Sequence, residues 1–194
     1  LKPVVLGKDP FSTEVLWNEM YVRTRDYGRK GVVVGAISAI DIALWDICGK
    51  ATGLPVWKLL GGAFRSRVQC YATGFFRSSG QGQAREMAQE ASRHADAGFS
   101  HMKVKLGFGV DDDIAVMKSI REAVGDCARF MVDVNHGYGA ADAIRLGRAL
   151  SDFQLRWIEE PVAPEDLRGY RRVRDALDTP IAGGEAEFSM YGFS

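Results

Sequence analysis

From Gly62 onward, apolar runs of strand length alternate with amphipathic stretches of helix length without interruption, and that alternation leaves few folds open. Strands are expected at 67–73, 101–106, 130–135, 155–159 and 181–185, with helices at 83–97, 111–124, 140–150 and 164–177 between them. Such repetition argues for a parallel sheet wound with right-handed crossovers. An eight-stranded barrel and an open doubly wound sheet both begin this way. The second to fifth strands all end in Lys, Asp or Glu, and catalytic groups at the carboxyl ends of several strands belong to a barrel, whereas an open sheet binds at one switch point. The expectation is therefore an α/β chain carrying the first five βα units of a modified TIM (β/α) barrel. A barrel takes about 250 residues, so three strands would lie outside these 194.

The residues before Gly62 have a different texture. Helices are expected over 11–27, stopped by Gly28, and over 34–50, where Ile37, Ile40, Ala43, Leu44 and Ile47 follow the 3.6-residue period. A short turn from Pro55 to Leu60 precedes Gly61-Gly62, where the boundary between residues 1–62 and 63–194 is placed. The chain starts without Met and is read as a piece of a longer protein.

The chemistry gathers at the strand tips. Phe130-Met131-Val132 runs into Asp133-Val134-Asn135-His136-Gly137, Trp157-Ile158 into Glu159-Glu160-Pro161, and Pro180-Ile181-Ala182 into Gly183-Gly184-Glu185. Asp133, Glu159 and Glu185 are spaced 26 residues apart, one strand plus one helix. Three converging carboxylates repel one another unless a cation sits between them, and an all-oxygen donor set of this kind suits Mg²⁺. The competing reading makes them surface or helix-capping acids in the loops that follow strands.

Lys103 and Lys105 are i and i+2 on the preceding strand, so both face the barrel mouth while Met102, Val104 and Leu106 face the helices. Two adjacent ammonium groups disfavour each other's charge, which moves at least one pKa towards neutrality and prepares a general base. The competing reading is a solvated strand edge. Asn135 shares a face with Asp133 and could bind substrate or metal-bound water; otherwise it serves the turn. His136 is a substrate contact or a polar surface residue. Arg77 and Ser78 add polar character near the first strand's end. Glu160 would point away from Glu159 on a regular strand and act as support, and Gly183-Gly184 would let backbone or substrate approach closely.

Composition removes other classes of function. Lys+Arg 25 against Asp+Glu 25, with no basic stripe, gives no electrostatic case for nucleic acid. No run reaches about 18 consecutive apolar residues, so no membrane partner is expected. Cys48, Cys70 and Cys127 are odd in number and scattered, the pattern of reduced thiols in a cytoplasmic protein. Gly107-Phe108-Gly109 follows a strand but lacks the third glycine and ribose-binding acid of a dinucleotide fold.

Two long motifs carry a resemblance. Ala36-Ile37-Ser38-Ala39-Ile40-Asp41-Ile42-Ala43-Leu44-Trp45-Asp46-Ile47-Cys48-Gly49-Lys50, continued by Pro55-Val56-Trp57-Lys58-Leu59-Leu60-Gly61, is one; the other runs from Asp133-Val134-Asn135 through Ala143 and Leu150 to Ile158-Glu159-Glu160-Pro161. With them the chain resembles the mandelate racemase and muconate lactonizing enzyme family of the enolase superfamily over nearly its whole length.

The resemblance implies that residues 1–62 are the helical end of an α+β capping domain and 63–194 the first part of the barrel. It implies Mg²⁺ on Asp133, Glu159 and Glu185, with Lys105 as the base that removes the proton α to a carboxylate and Lys103 tuning it. The enediolate so formed is reprotonated in a racemase or epimerase and loses a β-hydroxyl in a dehydratase. A sugar-acid dehydratase is the expected activity, with other racemases, epimerases or cycloisomerases of the superfamily as alternatives. A small carboxylate such as a sugar acid is the expected partner, and a homo-oligomer the expected assembly. The acid opposite Lys105 would come from strand six or seven. The alternative of another class is a catalytically inert truncated fragment with exposed apolar barrel edges.

Overall fold

A computed structural model describes residues 1–77 and 82–193; Ser78 lies outside them, as does the side chain of Cys127. The chain folds as two compact units, Leu1–Val68 together with Ala186–Ser194, and Gln69–Glu185.

The first unit is helical, with α1 (Lys2–Val5), α2 (Thr13–Thr24), α3 (Val32–Thr52) and α4 (Val56–Leu59). In α3, Val34, Ile37, Leu44 and Cys48 form one buried stripe. Ile37 packs with Met20 of α2 and Val4 of α1. Gly53 ends α3 in the left-handed conformation, its N–H bonded to the Gly49 carbonyl. By length and composition α3 is apolar enough to cross a membrane, with a mean hydropathy of 1.8. Ser38, Asp41 and Asp46 interrupt its apolar run.

The second unit is a five-stranded parallel sheet in the order β1-β2-β3-β4-β5, which is also the sequence order. Its strands are β1 (Ala72–Thr73), β2 (His101–Lys105), β3 (Arg129–Asp133), β4 (Ile158–Glu159) and β5 (Ile181–Ala182), separated by α5 (Ala84–Asp96), α6 (Val110–Val124), α7 (Ala140–Ala149) and α8 (Leu167–Ala176). Each strand joins beside the one before it, so the winding never reverses as it does in an open doubly wound sheet. This is the winding of a barrel.

Met102, Val104, Phe130, Val132 and Ile158 pack with Met117 and Ile120 of α6 and Leu146 of α7 in one buried cluster, each large side chain contributing about 1.5–3 kcal/mol. The other face of β2 carries Lys103 and Lys105, as the alternation requires.

Strands β1, β4 and β5 are each two residues long, shorter than their apolar runs. Beyond β4 the chain turns out of the extended region at Glu160, φ 48°, and beyond β5 at Gly184, φ 112°. The register is what organises the site. Lys105 pairs with Asp133, Asp133 with Glu159 and Glu159 with Ala182, so three candidate site residues stand in one row across the sheet.

Candidate metal centre

Oxygens of Asp133, Glu159 and Glu185 all lie within 4.8 Å of one another. Asp133 is fully buried, Glu159 half-buried and Glu185 exposed. The Lys103 ammonium donates to Glu159 Oε1 at 2.6 Å and to Asp133 Oδ2 at 3.1 Å, and Lys105 donates to the same Asp133 oxygen at 2.6 Å. Asp133 Oδ1 accepts the Asn135 N–H at 3.1 Å, and Glu159 Oε2 accepts from Trp157 Nε1 at 2.9 Å. Asn135 Oδ1 accepts from Lys105 at 3.0 Å, which joins it to the same network.

The donor set fits a hard divalent cation. It offers three anionic oxygens gathered within 4.8 Å of one another, the hard donor type that Mg²⁺ prefers. Two ammonium groups already stand at those oxygens as monovalent counter-charges.

The expectation is that at least one of the paired lysines moves towards neutrality; Lys103 moves the other way. Burial works to lower the pKa of Lys103, yet hydrogen bonds to Glu159 and Asp133 carry it above the ordinary lysine value. For Asp133, burial works upward, and the bonds from Lys105 and Lys103 hold the carboxyl below its usual range. Carboxylate charge within contact distance outweighs the repulsion between the two ammonium groups.

His136 and Glu160 lie beside this row. Glu160 is fully buried and left-handed, so it escapes the regular alternation that would have turned it towards the helices. His136 Nε2 stands 3.1 Å from Glu160 Oε2, and the His136 N–H donates to the Glu160 carbonyl at 2.9 Å. Burial, with further upward pressure from Glu185, Asp133 and Glu159 and opposed by His136, raises the Glu160 pKa. The Tyr170 hydroxyl, buried near the same negative charges, is pushed up to about 12.

Sequence reasoning missed a second network. The three aspartates that open α6 suit the helix dipole, but Asp113 is fully buried and does more than that. It accepts from Gly107 N at 2.7 Å, Tyr138 Oη at 2.5 Å and Arg77 at 2.8 Å, and Arg77 also pairs with Asp112 and lies 4.3 Å over the Phe108 ring. This fixes the loop after β2 immediately beyond Lys105. A cavity of about 280 Å³ opens there, lined by Phe76, Arg77, Lys105, Gly107, Phe108 and Asn135 among others. A larger one of about 1110 Å³ lies in the helical unit among Tyr21, Arg25, Arg29 and Tyr191. Of the two, the smaller is the one that Lys105 and Asn135 line.

Comparison with known proteins bears on this geometry. Residues 1–61 match the mandelate racemase / muconate lactonizing enzyme N-terminal domain, and residues 86–194 match the enolase C-terminal domain-like family. The chain is 44% identical to D-galactarolactone cycloisomerase of Agrobacterium fabrum over 97% of its own length and 50% of that protein's. It is 37% identical to arabinonate dehydratase of Saccharolobus solfataricus, over 100% of this chain and 52% of that one. A racemase from Streptomyces coelicolor A3(2), solved with bound magnesium, superposes with a TM-score of 0.90 at 37% identity, covering 99% of this chain and 53% of that one. The chain thus spans about half the length of the curated relatives it matches.

Proposed function

Because this chain belongs to the mandelate racemase and muconate lactonizing enzyme family of the enolase superfamily, we propose that the whole protein removes the proton α to the carboxylate of a sugar acid. The observation that carries the reading is the row Lys105, Asp133, Glu159, in which a candidate base stands beside a candidate metal centre. Asp133, Glu159 and Glu185 would hold Mg²⁺. When bound, it supplies Lewis-acid stabilisation of the charge that develops on the substrate carboxylate.

Lys105 is the base, and it lines the cavity where the α-carbon would sit. Lys103 holds Asp133 and Glu159 in place and adds positive charge beside the developing enediolate. Asn135, held by Lys105 and exposed to the cavity, orients the substrate. His136 is turned to Glu160, so its service to the substrate is indirect. The acid that completes the reaction comes from outside these residues.

Expulsion of a β-hydroxyl from the enediolate makes the protein a sugar-acid dehydratase, our first reading, supported by the arabinonate dehydratase relative. Cycloisomerisation is the second, favoured by the 44% identity to a cycloisomerase. We divide the chain into a capping part, residues 1–62, and a barrel part, 63–194, in keeping with the family matches. Balanced charge and the buried, reduced thiol of Cys48 support a cytoplasmic enzyme of small molecules, with neither nucleic acid nor membrane as partner. We assign it a homo-oligomeric state.

The test is proton exchange. The whole protein, incubated with Mg²⁺ and a panel of sugar acids in heavy water, should wash out the α-proton signal of one acid and release a dehydrated keto acid. Exchange without a keto acid would move the assignment to an isomerase. Absence of exchange across lactones, aldonates and aldarates would refute the reading.

A further inference from the structure

Asp113 is a fully buried carboxylate to which the reaction above gives no part. A charge taken out of water persists only where donors surround it, and here they come from the tips of three strands. Asp113 Oδ2 accepts from the Gly107 N–H at 2.7 Å and from the Tyr138 hydroxyl at 2.5 Å. Oδ1 accepts from Arg77 at 2.8 Å and, more weakly, from the Phe108 N–H at 3.4 Å. The Tyr138 hydroxyl accepts in turn from the Gly109 N–H at 2.9 Å. Three successive amides of the loop after β2 are thus tied to one carboxylate, two directly and the third through a phenol.

Those tips decide where Lys105 stands. Past Lys105 the ladder runs for one further bond, Leu106 N–H to the Asp133 carbonyl at 2.8 Å, and the chain then leaves the sheet at Gly107, φ 101°. There it lies backbone against backbone on the tip of β3, so that a Cβ on Gly107 would meet the Val134 carbonyl oxygen at 2.5 Å. Lys105 donates to Asn135 at 3.0 Å across the same junction. Arg77 brings in the chain beyond β1, and Phe108, over which its guanidinium lies, lines the cavity together with Lys105.

We propose that Asp113 is a positioning residue for proton abstraction: with Tyr138 and Arg77 it clamps the tips of β1, β2 and β3 and so fixes Lys105 relative to the substrate. The proposal rests on the reading of Lys105 as the base. A base displaced by about 1 Å can lose about 10² in rate. Asp133 and Glu159 keep the partners they have on β2 and β4, so the metal centre should be little disturbed. Loss of the clamp is therefore a defect in turnover and not in binding.

Asp113→Asn and Tyr138→Phe test it in the whole protein with Mg²⁺ and the sugar acid it exchanges fastest. Exchange of the α-proton gives kcat and KM, calorimetry gives the Mg²⁺ Kd, and hydrogen exchange read by mass spectrometry reports the amides of residues 107–109. Both variants should lose amide protection there. The kcat should fall by about 10–10²-fold in Asp113→Asn and by about 3–10-fold in Tyr138→Phe, while KM and the Mg²⁺ Kd stay within about threefold. Tyr138→Phe removes a single hydroxyl and carries the test alone if Asp113→Asn does not fold. Ile120→Val, on the buried face of the same helix, is the control for loosened packing and should leave kcat within about twofold.

Unchanged kcat in the variants overturns the positioning role, and so does protection that survives at residues 107–109. A fall in kcat matched by equal losses in KM and Mg²⁺ affinity, or reproduced by Ile120→Val, reduces Asp113 to a structural residue and overturns it too. A parent that exchanges no sugar acid refutes the reading of Lys105 itself and takes the proposal with it, whereas a parent that exchanges keeps that reading whatever the variants do.

Discussion

Lys105 and Asp133 are register partners on adjacent parallel strands, and the ammonium of the one donates to the carboxylate of the other at 2.6 Å. The candidate base and a candidate metal ligand at the centre of the site are therefore placed by the sheet itself, not by a loop. Replacing Lys105 with Met should remove the base and keep the strand. Sugar-acid α-proton exchange is expected to fall by about 10²–10⁴ or more, while Mg²⁺ affinity changes far less. Nuclear magnetic resonance in heavy water measures the first and titration calorimetry the second; equal exchange rates in parent and variant would place the base elsewhere.

Trp157 gives a second test. Its indole N–H holds Glu159 Oε2 at 2.9 Å and leaves Oε1 facing Lys103. Outer partners of this kind typically contribute 10–100-fold to metal affinity. Trp157→Phe is expected to weaken Mg²⁺ binding by about that factor, seen in calorimetry as a raised Kd at unchanged stoichiometry.

Alkaline stability should report on the Asp113 network. Burial, and then the bond to Asp113, push the Tyr138 phenol well above its ordinary range. A pKa raised on folding gives stability that is fully present below the unfolded value, about 10, and lost as pH rises from there towards the folded value. The urea midpoint should therefore fall between about pH 10 and 11. Tyr138→Phe is expected to cost about 1 kcal/mol at pH 8 and to flatten that fall, leaving the parts due to Tyr170, at about 12, and to the raised Lys103. Parallel curves for the two proteins would show that Tyr138 is not the titrating group.

Two loops meet at Gly137 with no room for a side chain. A Cβ there would lie 2.9 Å from the Gly107 carbonyl oxygen and 3.0 Å from its Cα, both backbone atoms that cannot swing aside. Gly137→Ala should destabilise by about 1–3 kcal/mol and should slow α-proton exchange, because the displaced loop follows Lys105 directly. Urea unfolding and the exchange assay together check it.

The helices, the parallel winding and the acid-tipped strands were legible in sequence because each rests on a local period: 3.6 residues in α6, two in β2, and 26 between Asp133, Glu159 and Glu185. What escaped depends on distant partners or on one torsion angle. Asp113 reads as a helix-opening acid until Arg77, 36 residues earlier, closes on it. Glu160 reads as an outward residue until its φ of 48° turns it to His136. The lengths of β1, β4 and β5 also escaped, since an apolar run does not reveal how far its neighbour stays within hydrogen-bonding reach. The raised pKa of Lys103 needed the position of Glu159, supplied by β4.

The sheet's order, the same as its sequence order, bears on how the protein is made. A ribosome releases β1 first, and each of the four later strands finds the neighbour before it already synthesised, so assembly can keep pace with translation. Asp133, Glu159 and Glu185 emerge at intervals of 26 residues, and the last candidate ligand appears only when the fifth strand has been delivered. Capture of the ion is then a late event, tightening a half-built wall rather than seeding it, and chelators should slow maturation at its end and leave its beginning untouched.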